Sequence, residues 1–100
     1  MSATPSSEVL AITGELTFAT IPGVLAQSAE FEARTDLPDR LVIDFTGVSG
    51  VDSSAVALLL EWRRQALTRG KTLVFTNLPA NLVALARLYG VADLIQTPAA

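Results

Sequence analysis

Apolar residues recur along this chain with two periods, and the alternation between them lays out strands and helices in turn. Val9, Leu10, Ala11 and Ile12 form a short apolar run closed by Gly14, which predicts a strand over residues 8–13. A second extended piece is expected over 16–18. Thr20 stands where a helix cap belongs, with Pro22 in the first turn, and Ile21, Val24, Leu25, Ser28, Ala29 and Phe31 repeat at helical spacing. Residues 35–40, polar and holding Pro38, connect this helix to Leu41-Val42-Ile43-Asp44-Phe45, a run of the kind buried in a sheet. A helix over 53–69, a strand over 72–76 and a helix over 79–89 follow. Asn77 is the expected N-cap of the last helix and Gly90 its stop. Leu94-Ile95 is expected to add a short extended segment. Residues 1–7 read as a disordered polar lead and 8–97 as a single domain without repeats or linkers.

Strand–helix–strand–helix alternation at these lengths predicts an α/β fold with right-handed crossovers onto one sheet. The pattern leaves open whether helices cover one face of that sheet or both.

The densest chemistry lies in residues 41–60, LVIDFTGVSGVDSSAVALLL. Residues 46–51 have loop composition, with Gly47 and Gly50 free to take unusual backbone angles. Asp52 is placed as a helix N-cap, its carboxylate able to accept orphan amides of the first turn. The hydroxyls of Ser53 and Ser54 then sit at the positive end of the helix dipole. Asp-Ser-Ser at a helix start is also ordinary capping chemistry, and the residues alone do not separate the two readings. At ~100° per residue, Ala55, Val56, Leu59, Leu60, Ala66 and Leu67 share one apolar arc, and Leu58 and Trp62 widen it. Ser54, Ala57, Glu61, Arg64 and Thr68 fall opposite. Leu58 and Trp62, neighbours at i and i+4, together with Ala57 and Glu61, form a possible interface; the alternative is that Trp62 packs under the first helix or a loop. Arg63 falls within the apolar arc and is expected to reach toward an acid such as Asp93 or Asp44.

The stretch around Asp52-Ser53-Ser54 resembles the signature of STAS domains, found in anti-sigma-factor antagonists and in the tails of sulfate transporters. Gly14-Glu15-Leu16 resembles that family's early turn, and Gly70-Lys71-Thr72-Leu73-Val74-Phe75 its strand after the signature helix. Leu85-Ala86-Arg87-Leu88-Tyr89-Gly90-Val91 is similar to the last helix of one branch, the MlaB-type subunits of the Mla phospholipid-transport ABC system. Ser54-Ala55 departs from the wider family, which has glycine there, and makes the first turn stiffer. The resemblance implies a STAS fold: a small mixed sheet of about four strands with helices mostly over one face. It further implies a non-catalytic cytoplasmic subunit, peripheral to the inner membrane through its partner. That partner is an ABC transporter ATPase of the MlaF type and, through it, the permease and the MCE lipid-binding protein. The alternative it implies is an anti-sigma-factor antagonist controlled by serine phosphorylation. Ser53 aligns with the hydroxyl position of the first branch and Ser54 with the phosphoacceptor of the second, so both stand as partner-binding or phosphoacceptor candidates.

Composition narrows these readings further. The chain has 100 residues, half of them apolar, which is enough for a core without disulfides or metal. It contains no cysteine and no histidine, so a Cys-ligated metal is ruled out and the usual general base and commonest metal ligand are missing. A serine nucleophile here has no histidine to activate it, and no phosphate loop of the Gly-Lys-Ser/Thr type occurs. Asp44 and Asp52 bracket one loop, an arrangement compatible with a metal or phospho-aspartate but equally with loop support and capping. The expectation is no catalytic residues, no metal and no cofactor. A net charge of −3 argues against nucleic-acid binding, and Arg63, Arg64, Arg69 and Lys71 read as the solvated end of a helix. The opening residues lack the pattern of a signal peptide, and Leu58-Leu59-Leu60 lies in a run far below the ~20 apolar residues of a membrane span, so no direct membrane insertion is expected.

Overall fold

A computed structural model describes residues 7–96, in the order β1 (Ser7–Leu16), α1 (Ile21–Glu32), β2 (Arg40–Val51), α2 (Ser53–Thr68), β3 (Thr72–Thr76), α3 (Ala80–Leu88) and α4 (Ala92–Gln96). The polar lead expected over 1–7 lies outside the described residues except for Ser7, which opens β1. Among the described residues the sheet has three strands in the order β1-β2-β3, and both pairings are parallel. The α/β class and the STAS-like architecture are those expected, but the sheet has one strand fewer and is parallel rather than mixed, because each connection between strands crosses over through a helix.

That strand disappears because the turn after β1 closes early. Thr20 Oγ1 accepts from the Thr17 amide at 2.9 Å and donates to the Glu15 carbonyl at 2.7 Å, so residues 17–20 turn instead of extending. The segment 46–51, expected as a loop, instead prolongs β2 beside β1. Gly47 pairs with Thr13 and Val51 with Leu16, across two register shifts. A Cβ at Gly47 would lie 2.8 Å from Thr13 Cγ2 and 3.3 Å from the Ile12 carbonyl, so this approach requires glycine.

Alternation along β2 divides the sheet into two faces. Leu41, Ile43 and Phe45 are buried with Ile12, Leu16 and Leu73 on the side where the helices pack. α2 is the centre of that layer and touches α1, α3 and α4. The other face carries the cross-strand row Val9, Val42 and Val74, of which Val9 is 55% exposed.

The chain after β3 corrects two expectations and bears out a third. Asn77 does not cap α3; it takes a left-handed backbone (φ 57°) and donates from Nδ2 to Asp44 Oδ1 at 2.9 Å, while Pro79 holds the N-cap position. Asparagine tolerates this conformation, and here it turns the chain out of β3. Gly90 (φ 73°) does stop α3, as expected. Leu94 and Ile95 are not extended but belong to α4, a five-residue helix that buries Ile95.

Candidate functional site

The candidate site begins where β2 runs into α2. The Asp52 backbone is extended, its amide donates to the Leu16 carbonyl at 3.1 Å, and Oδ1 accepts the Ser54 amide at 2.8 Å. This is the N-cap anticipated from sequence. Its second oxygen makes a contact that no local pattern predicts: Oδ2 accepts the Phe18 amide at 3.0 Å, tying the β1–α1 turn to the start of α2. Ser53 is exposed at this junction and Ser54 is half-buried behind it. Phe18 projects beside them with 83% of its surface exposed.

The expected interface on α2 needs correction. Leu58 (4% exposed) and Trp62 (2%) belong to the core, because α2 lies in the middle of the helical layer and has neighbours on both sides. The arc that Leu58 and Trp62 widen is covered by the chain's own α1, α3 and α4. Ala57 remains exposed, and Glu61 is half-buried, bonded to Arg64 (Nε at 2.9 Å) and Gln65 (3.2 Å). Leu67, placed by the wheel in the apolar arc, is 56% exposed near the end of the helix. Arg63 reaches the Leu94 carbonyl at 2.9 Å, not an acid. Arg69 and Lys71 likewise donate to the Glu32 and Leu37 carbonyls, so these two cations brace the end of α1 and the connection that follows it.

Asp44 supports the turns around it. Its Oδ1 accepts from Asn77 Nδ2, from the Thr46 amide at 3.0 Å and from Thr46 Oγ1 at 2.7 Å. Among the described residues no group of three or more His, Cys, Asp or Glu side chains could hold a metal ion. No described helix is long and apolar enough to cross a membrane.

With this geometry in view, residues 1–96 match the family model described as "Mlab, STAS domain". The chain belongs to this STAS family. Solved structures agree on the fold of this STAS domain. A sulfate transporter family protein from Wolinella succinogenes superposes with a TM-score of 0.71 at 18% identity, over 94% of this chain and 75% of that one. The anti-sigma factor antagonist SpoIIAA in its unphosphorylated form superposes with a TM-score of 0.66 at 19% identity, over 96% of this chain and 82% of that one. Comparison with curated protein sequences finds no match.

The electrostatics of the STAS domain's junction give a pH signature. The Phe18 amide, then that of Ser54, holds the Asp52 carboxyl below its ordinary 3.8. Asn77, then Thr46, does the same for Asp44. A carboxyl whose folded pKa is depressed adds stability that is present above its unfolded pKa and is lost as pH falls through the folded value. Glu32 is shifted the opposite way, raised chiefly by burial, so its contribution favours the folded state at low pH and opposes the trend. We expect melting temperature to hold level from pH 8 to roughly 5, with no inflection near neutrality because the chain has no histidine, and to fall as pH drops below 3.8. Thermal melts across this range check it. Asp52→Asn should flatten part of the acid limb, and an unchanged limb would remove Asp52 from the account.

Proposed function

We propose that this STAS domain is a non-catalytic subunit that docks on the cytoplasmic ATPase of an Mla-type ABC transporter. In that role it supports the assembly and activity of the ATPase in phospholipid transport between the two membranes of a Gram-negative cell. It sits peripheral to the inner membrane through this partner, and reaches the permease and the MCE lipid-binding protein only indirectly. The observation that carries the reading is Ser53. Its hydroxyl is exposed at the start of a 16-residue helix whose cap is already supplied by Asp52, so it is free to bond a partner. The family description, which reads "Mlab, STAS domain", and the Leu-Ala-Arg-Leu-Tyr-Gly ending support a transporter ATPase as that partner. A chain without histidine or cysteine suits a binding role better than catalysis.

Co-purification with the ATPase of the neighbouring transporter genes tests the proposal. Ser53→Ala is expected to melt like the wild type and to bind about fivefold more weakly, the equivalent of one lost hydrogen bond of ~1 kcal/mol. The competing reading is an anti-sigma-factor antagonist phosphorylated on serine, and the STAS fold shared with SpoIIAA suits it too. Firm binding to a serine-kinase anti-sigma factor, with no association to the ATPase at micromolar concentration, would reverse the order of the two.

A further inference from the structure

The residue in this region with the largest uncommitted apolar surface is not on the signature helix. Phe18 lies on the β1–α1 turn, 83% exposed, and the turn that carries it is held at several points. The Thr20 amide donates to the Thr17 carbonyl at 2.9 Å and the Ile21 amide to the same oxygen at 3.0 Å, while the Thr20 hydroxyl bridges the Thr17 amide and the Glu15 carbonyl. The Phe18 amide itself is clamped to Asp52 Oδ2. A lone exposed apolar side chain on a mobile loop is ordinary. A phenyl ring displayed from a turn with its backbone hydrogen-bonded on both sides has already lost the backbone freedom that binding would otherwise remove.

We infer that Phe18 is the aromatic anchor of the partner interface, and that Asp52 is the positioning residue holding it beside Ser53. This rests on the partner-docking reading of the preceding section. The surface fits a protein presenting an apolar pocket wide enough for a phenyl ring, with a backbone carbonyl or carboxylate at its rim to accept from the Ser53 hydroxyl. Aromatic anchors of this kind carry a large share of interface energy when they fill a desolvated pocket. A lipid surface is a poorer occupant, because the chain's net charge of −3 opposes approach to anionic headgroups. One carboxylate therefore serves two ends: Oδ1 caps α2, and Oδ2 holds the turn backbone from which the ring projects.

The test uses the full chain and the purified transporter ATPase. Phe18→Ser is expected to leave the melting temperature within roughly 2 °C of wild type, since the ring touches little of the fold. It should weaken ATPase binding roughly 10- to 100-fold, more than Ser53→Ala does. Asp52→Asn, which keeps the side-chain shape but can accept only one of the two amides, should weaken binding in the wild-type background. In the Phe18→Ser background it should do markedly less, a non-additivity that a purely structural cap would not produce. If Phe18→Ser binds like wild type while Ser53→Ala is impaired, the anchor assignment is wrong and the docking reading survives. If wild type itself does not bind the ATPase, the docking reading fails and takes the anchor with it. Phe18-dependent sedimentation with phosphatidylglycerol vesicles, with ATPase binding unaffected, would overturn the assignment in favour of a lipid contact.

Discussion

Trp62→Ala is expected to cost about 3–5 kcal/mol of stability, a large part of what a domain of this size possesses. The indole is 2% exposed and lies among Leu59, Ala66 and the inward face of the sheet, so truncation leaves a cavity that α2 alone cannot close. Its ring nitrogen has no hydrogen-bond acceptor among the described residues, so Trp62→Phe, which keeps an aromatic ring and removes the N–H, should lose much less. Urea melts of the two variants measure the difference. A loss below about 1 kcal/mol for the alanine variant would mean the side chain is not a core residue, and an interface role for it would return.

Ser53→Glu should have the largest effect on association while leaving the fold intact. The added carboxylate sits on an exposed position at a helix N-terminus, which the dipole favours, so the melting temperature should hold or rise slightly. At a desolvated contact the same group brings bulk and a charge next to Asp52. Its burial and the repulsion should reduce ATPase binding well beyond the fivefold expected for Ser53→Ala. Titration of the purified ATPase with each variant provides the comparison. If the glutamate variant bound as tightly as wild type, the start of α2 would lie outside the interface altogether.

How much could be read in advance depended on whether local chemistry or distant pairing decided the outcome. β3 was legible to the residue, because Thr72–Thr76 is a short apolar run bounded by Gly70 on one side and Asn77 on the other. Asp52 as a cap was legible for the same reason, since one side chain and the amide two residues on suffice to define it. The tail of β2 was not. Gly47 and Gly50 have loop composition, and only their pairing with Thr13 and Glu15, far away in sequence, makes this stretch strand. Trp62 shows the limit of a helical wheel, which reports how wide the apolar arc is but not whose side chains cover it. Phe18 was read as part of an extended piece because a lone aromatic after Leu16 carries no periodic signal. Its position beside Ser53 follows from a hydrogen bond to a residue more than thirty positions later, a contact that no local pattern encodes.

The all-parallel sheet also governs the order in which the chain can assemble. Val9 pairs with Val42, and Val42 with Val74, so each ladder closes a loop of roughly thirty residues and no strand pairs with a neighbour across a tight hairpin. During synthesis β1 must wait for β2, and the sheet stays incomplete until Thr76 has left the ribosome. Through that interval the edge of β2 that will bond β3 is open, in a stretch as apolar as Leu41-Val42-Ile43. The nascent chain is thus most exposed to wrong pairings just before β3 emerges, and slowing translation there should raise aggregation rather than yield.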